Sequence, residues 1–290
     1  MTTPQDSTTY DVIVVGSGAG AMLTAARAHD LGLSVLVVEK SDKYGGTSAV
    51  SGGAIWIPNN SQMKIKDSYD DALAYVKAAT RGLVAEDRLH AYLDSAPQMV
   101  EYINSKMTLN YFPCHRYPDY YQHLPGSRPG GRTMEPNLFD ASLLGEEFDN
   151  LRLSYNGTLL MGKASMTATQ AHVMLSKQPG WMLQVMKTLG RYFLDIPWRL
   201  KTKHDRIRGL GNAMAAGLRH ALLVRKVPLW LNTPFESLTT EGGRVTGIVV
   251  KRNGQTLTLT ARRGVVLGAG GFERNQQMRE QYLPKPSKAE

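Results

Sequence analysis

Cysteine is all but absent from this chain. Its one example among 290 residues, Cys114, excludes an internal disulfide and is compatible with a reducing compartment. No apolar run approaches the roughly 18 residues that a membrane span needs. The polar start, Met1 to Thr9, lacks the basic residues and apolar core of a signal peptide. A cytoplasmic location is the expectation from these absences. No histidine has metal-ligand spacing, so His115 and His123 read as plain loop residues and no metal is expected. Internal repeats and low-complexity tracts are missing as well. Basic residues outnumber acidic ones 34 to 25, yet no nucleic-acid motif accompanies that excess, so nucleic acid is not an expected partner.

Short apolar runs and glycine are what the chain has instead. Val12 to Val15 predicts a strand buried on both faces, and Val35 to Val38 predicts a second. Between them Ala19 to Leu31 predicts a helix that stops at Gly32. Two such strands joined by a helix form a parallel βαβ unit. Further on, 69–105 predicts mainly helix and 111–136 a long irregular loop rich in tyrosine, proline and glycine. Residues 165–200 predict amphipathic helix, and 209–226 a helix with Leu210, Met214, Leu218, Ala221 and Leu222 on one face. Strands are predicted at 229–231, 236–238, 245–251, 257–261 and, separately, 265–267. Asn253-Gly254 is a hairpin signal.

Gly16-Ser17-Gly18-Ala19-Gly20-Ala21 fits the pattern G-x-G-x-x-G/A, and its setting matches the pattern's physics. It follows a strand and opens a helix, and an acid, Glu39, ends the next strand. Gly16 permits the tight turn, Gly18 lets backbone approach a pyrophosphate, and Ala21 is small enough for close helix–strand packing. The helix N-terminus offers N–H groups and a positive dipole to phosphate. Glu39 can accept hydrogen bonds from ribose hydroxyls. The fingerprint alone leaves NAD and FAD open.

Glu39-Lys40, Gly45-Gly46-Thr47-Ser48, Ser51-Gly52-Gly53 and Trp56-Ile57-Pro58 resemble the flavoprotein subunits of the fumarate reductase and succinate dehydrogenase superfamily. Residues 209–231 and Gly264–Phe272, with Ala269 and Gly270, resemble its later FAD segments. The resemblance implies FAD and a Rossmann-like α/β FAD-binding fold: a parallel sheet, an antiparallel β-meander and helical insertions. It implies one FAD-binding domain over 1–290 with an insertion at roughly 60–208, incomplete relative to the family. The histidine that carries covalent flavin in succinate dehydrogenases aligns with Gly46, so non-covalent FAD is expected.

Tyr117-Pro118-Asp119-Tyr120-Tyr121-Gln122-His123-Leu124-Pro125-Gly126, followed by Gly131-Arg132-Thr133-Met134-Glu135-Pro136, resembles the 3-ketosteroid Δ1-dehydrogenases. By that resemblance Tyr120 projects into the active site and supports a proton-accepting tyrosine, while a hydride from ring A passes to flavin N5. The substrate is then a lipophilic 3-ketosteroid, with the electron acceptor open. Gln122 and Ser127 depart from the family's usual proline and glycine and leave the particular steroid open. The base, the ketone-binding tyrosine and the last FAD segment belong to the family's C-terminal half, so residues 1–290 alone are expected to be inactive. Packing is the competing reading for Tyr120 and Tyr121, Cys114 reads as a small apolar residue, and Arg128 and Arg132 as substrate-facing or solvated, with solvated favoured.

Two other functions compete: a fumarate-reductase-like enzyme acting on a small acid, and a flavin-binding module without chemistry. One feature lies outside the site. Lys177 to Arg208 holds eight basic residues against Asp195 and Asp205, which is +6 of the net +9. Trp181, Met182, Val185, Met186, Leu189, Phe193 and Trp198 intersperse it. Peripheral contact with an anionic membrane is one expectation for this stretch, and packing against further protein is the other.

Overall fold

The computed structural model describes residues 8–288. The polar start at Met1–Ser7 and the end at Glu290 lie outside the described residues. In chain order the strands are β1 (Thr9–Val15), β2 (Val35–Val38), β3 (Ile55–Trp56), β4 (Tyr111–Pro113), β5 (Thr133–Pro136), β6 (Phe139–Asp140), β7 (Ile207–Arg208), β8 (Leu229–Trp230), β9 (Phe235–Glu241), β10 (Arg244–Arg252) and β11 (Gln255–Leu267). The helices are α1 (Ala19–Asp30), α2 (Tyr69–Thr80), α3 (Glu86–Lys106), α4 (Ala168–Leu175), α5 (Trp181–Leu194), α6 (Ile196–Arg199), α7 (Leu210–Val224) and α8 (Gln276–Tyr282). The chain forms two compact units, 1–42 with 229–290, and 43–228.

The first unit is built on a six-stranded sheet, ordered β8-β2-β1-β11-β10-β9. β8, β2, β1 and β11 run parallel, and β11, β10 and β9 form an antiparallel meander. Ile13, Leu36, Val38, Ile248, Val250 and Leu259 form its buried core. The Asn253-Gly254 turn takes positive φ at both residues, 51° and 79°, the backbone that a two-residue hairpin twist requires. Residues 257–261 and 265–267 are one strand, not two. β11 runs unbroken through Arg262 and Arg263, pairing with β10 at one end and β1 at the other. Two consecutive exposed arginines hid that continuity, because they break the apolar pattern at the point where the pairing with β1 shifts register.

In the second unit α7 is buried almost all round, from Gly211 through Leu222 with the exception of His220. The one-sided face predicted from its leucines is therefore corrected. Alanine and glycine on its other faces admit close neighbours: a Cβ on Gly217 would sit 2.7 Å from the Leu109 Cβ. The expected irregular loop at 111–136 is partly regular. Its ends, β4 and β5, join β3 in a three-stranded sheet, leaving 114–132 as the connecting loop. Among the described residues no helix is long and apolar enough to cross a membrane.

Candidate functional site

Within the first unit the glycine fingerprint occupies the turn from β1 to α1. Gly16 has φ +99°, and a Cβ there would land on the Gly268 carbonyl oxygen, so only glycine fits. Gly18 is the N-cap of α1 in extended backbone, no side chain caps the helix, and its first turn has no acid. That leaves the positive end of the dipole without a competing carboxylate. Gly20 is exposed, and a Cβ on it would meet nothing within 4 Å. Ala21 is buried against Gly268: a Cβ on Gly268 would stand 2.7 Å from the Ala21 Cβ. Glu39, only 8% exposed, is held at the end of β2. It accepts from the Ser17 backbone N–H (3.0 Å), the Ser17 hydroxyl (2.5 Å) and the Ser41 N–H (2.9 Å). Lys40 is exposed beside it, and Ala269 and Gly270 are exposed just past β11. A helix N-terminus with no side-chain cap, an open glycine and an anchored carboxylate suit a diphosphate joined to a ribose.

In the second unit Gly45 to Gly53 packs onto α7. Gly45 (φ +107°) approaches Ala49, and Gly53 (φ +68°) approaches the Leu210 backbone so closely that a Cβ would be 2.5 Å from its carbonyl carbon. The Ser51 carbonyl accepts from the Gly211 N–H at 3.0 Å, and the Ser51 hydroxyl accepts from the Gly53 N–H at 3.0 Å. Buried Tyr111 donates to the Gly53 carbonyl at 3.1 Å. Asn212 donates to the Ala49 and Arg152 carbonyls, 3.2 and 2.7 Å. Packing thus accounts for glycine at 45 and 53. Gly46 (φ +51°) opens the 3-10 turn Thr47–Val50, Ser48 lies in that turn, and Thr47, Ser51 and Gly52 are exposed.

The tyrosine loop 114–132 is anchored from within. Asp119 is 3% exposed. Its carboxylate accepts from the Trp56 indole N–H (2.6 Å), the Arg128 backbone N–H (2.8 Å) and Arg132 Nη1 (2.9 Å). Arg132 also donates to both oxygens of Asp67, from Nε at 2.8 Å and Nη2 at 2.9 Å. Arg128 donates to Asp67 and Asp71. The expectation that both arginines are solvated is therefore corrected: Arg132 is 1% exposed and Arg128 is part-buried. Three carboxylates accept from their donors, which periodicity could not reveal. Asp67 belongs to no motif and was not foreseen. Burial alone would raise its pKa, but the bonds and charge of Arg132 outweigh this and hold it below the usual carboxylate range.

Tyr120, beside this buried carboxylate, is 80% exposed. Its ring centroid is 6.3 Å from that of Tyr117, and a hydrogen bond between the two hydroxyls, with burial, keeps Tyr117 protonated beyond the usual tyrosine range. Tyr117 also lines a cavity of about 790 Å³, with Phe112, Pro113, Pro118 and Val173 as apolar wall and Lys64, His115 and Arg116 among its polar residues. Burial and Lys64 lower the His115 pKa. Cys114 is buried on the wall, its thiol pushed up to about 12 by burial and by Glu135. Glu135 itself accepts from the Ala168 and Thr169 N–H groups at the start of α4. Among the described residues no group of three or more His, Cys, Asp or Glu is arranged to hold a metal.

The parallel βαβ turn, its uncapped helix and its anchored acid define a dinucleotide-binding α/β protein. The chain belongs to the FAD binding domain family, whose profile matches residues 11–290, and FAD is its cofactor. It is 47% identical over 284 residues to a 3-oxosteroid 1-dehydrogenase of Comamonas testosteroni, covering 96% of this chain and 49% of that protein. A 3-ketosteroid delta1-dehydrogenase from Sterolibacterium denitrificans, solved with 1,4-androstadiene-3,17-dione, is 85% identical with a TM-score of 0.96, covering 98% of this chain and 51% of the other. A flavocytochrome c3 fumarate reductase shares the fold at 17% identity and TM-score 0.61, over 96% of this chain and 36% of its own. The chain spans about half the length of the curated relatives it matches.

Proposed function

We propose that this chain is the cofactor-binding part of an FAD-dependent oxidoreductase that dehydrogenates ring A of a 3-ketosteroid. The observation that carries this reading is the tyrosine loop: Asp119 is locked in place while its neighbour Tyr120 is offered outward beside Tyr117, which itself lines a largely apolar cavity. A lipophilic ring system suits that wall. Bound FAD supplies a two-electron acceptor. In the first unit the residues that would hold it are Gly16 to Ala21, Glu39, Lys40, Ala269 and Gly270. Gly46 has no nucleophilic side chain, so the flavin is held non-covalently. Tyr120 serves a proton-accepting group by hydrogen bonding. A tyrosine near pKa 10 is a poor base without such support.

A fumarate-reductase-like site would need arginine to grip carboxylates. In the tyrosine loop Arg128 and Arg132 are already paired with Asp67, Asp71 and Asp119, which favours the ketone reading. The test is turnover of a 3-ketosteroid with an artificial electron acceptor by the protein that carries this chain, set beside residues 1–290 alone. The reading expects turnover by the former only. Turnover of an unsaturated small acid and not of the steroid would sink it.

The same reading places an anionic membrane surface against α5 and α6. Met182, Leu183, Met186, Leu194, Ile196 and Leu200 are each more than half exposed, more apolar surface than a free face normally carries. Lys177, Lys187, Lys201 and Lys203 are exposed around them, and Asp195, the one acid between Arg152 and His204, is bound to Arg206 at 2.7 Å. Trp198 does not belong to that face: it packs edge-on against Phe148 and donates to the His204 carbonyl. A steroid partitions into lipid, so contact there would bring substrate to the enzyme.

A further inference from the structure

Tyr120 is an exposed side chain on an immobilised backbone. On one side of it Asp119 is fixed by Trp56, Arg128 and Arg132, and its own N–H donates to the Arg128 carbonyl at 3.0 Å, closing the loop on itself. On the other side the Tyr121 N–H donates to the Tyr75 hydroxyl at 3.2 Å. Arg132 is the common member. Its guanidinium grips both oxygens of Asp67, turns its third nitrogen to Asp119, and lies 5.4 Å from the Trp56 ring centroid and 5.7 Å from that of Tyr75. Trp56 stacks in turn on Tyr75 and Tyr92. Three donors in one plane, with aromatic rings close by, is a set that arginine can supply and lysine cannot.

Stability alone does not account for this cluster. Replacing a buried ion network by apolar residues of similar volume is often neutral or stabilising, whereas such a network imposes one geometry. The geometry imposed here relates Trp56, in the segment after Gly53, to the neighbour of Tyr120, Asp119, 63 residues away in sequence but tethered through a single carboxylate.

We propose that Arg132 is a positioning residue: through Asp119 and Asp67 it fixes Tyr120 relative to Trp56 and so sets the catalytic competence of the tyrosine. This rests on the function proposed for Tyr120. It assigns no contact with substrate or cofactor to Arg132 itself.

The experiment compares Arg132→Lys, Tyr120→Phe and the double variant in the protein that carries this chain, by hydrogen exchange and by steady-state kinetics. In Arg132→Lys, amides at 117–128 should exchange roughly tenfold faster or more, the scale set by losing charged hydrogen bonds, while α7 keeps its protection and flavin content is unchanged. Tyr120→Phe should leave exchange as it is. Turnover should fall by up to about a hundredfold in Arg132→Lys, as for misplacement of a reacting group by about 1 Å, with KM moving far less. The double variant should be no slower than the slower single variant, because both changes act through one hydroxyl. Unchanged protection at 117–128, an equal loss of protection throughout residues 43–228, or additive losses in turnover would each overturn the proposal. Should Arg132→Lys fail to fold, Asp119→Asn, which keeps the shape of the side chain, carries the same measurements. Absence of steroid turnover in the parent protein would count against the function proposed for Tyr120, while the exchange comparison still judges the tether.

Discussion

Ser17 and Glu39, 22 residues apart, are joined twice: the Glu39 carboxylate accepts from both the backbone N–H and the hydroxyl of Ser17, at 3.0 and 2.5 Å. One acid thus braces the fingerprint turn and keeps its remaining acceptor capacity at the end of β2, where a ribose is expected. Removing it should weaken cofactor binding twice over. Glu39→Ala is expected to lower FAD affinity by tenfold to a hundredfold, since a hydrogen bond to a charged group is worth about 1.5–3 kcal/mol. Flavin fluorescence titration of the apoprotein measures this. An unchanged affinity would remove Glu39 from the site.

Flavin should leave the polypeptide on acid or heat denaturation, because Gly46 provides no point of attachment. Precipitating the protein and reading flavin absorbance in the supernatant is sufficient. Yellow colour remaining with the washed pellet contradicts the assignment.

Acid should loosen the tyrosine loop through Asp67. Its folded-state pKa lies below the ordinary value, so the carboxylate stabilises the fold fully above the unfolded pKa of about 3.9 and loses that contribution as pH falls below it. Thermal unfolding should therefore be insensitive to this group near neutral pH and fall away below about pH 4. Asp67→Asn should be less stable at neutral pH, because it leaves Arg132 buried and under-paired, and should lose part of that acid dependence. Parallel acid profiles for the two proteins would show that Asp67 is not the group responsible.

Binding to vesicles should depend on charge. Co-sedimentation with anionic vesicles is expected at low salt and should weaken at high salt, where the lysines around α5 and α6 are screened. Neutral vesicles should retain little protein. No sedimentation with anionic vesicles at low salt would leave packing against further protein as the account of that apolar face.

Much of the first unit was legible in the sequence. Runs such as Val12–Val15 and Val35–Val38, bounded by glycine-rich turns, read as buried strands, and Gly16 and Asn253-Gly254 specify backbone that few residues adopt. Tyr120 was legible only through resemblance, since nothing local distinguishes it from Tyr121. The network behind it was not legible at all. Asp67, Asp119 and Arg132 look like surface residues by type, and their burial follows from partners up to 65 residues apart. The full burial of α7 was missed for a related reason: its small residues carry little hydrophobic signal, although they are what allows neighbouring segments to approach.

The central claim is that this FAD domain serves ketone dehydrogenation through the Tyr120 loop. Anaerobic mixing of the oxidised holoprotein with a 3-ketosteroid, followed by stopped-flow flavin absorbance, tests it most directly. The account predicts that the flavin bleaches in the parent protein and bleaches more slowly in Tyr120→Phe, by a factor within the roughly 10²–10⁴ that a positioned acid–base group contributes, with equal flavin content in both. Flavin that stays oxidised with the steroid, while its chemically reduced form is reoxidised by an unsaturated dicarboxylate, would contradict the account.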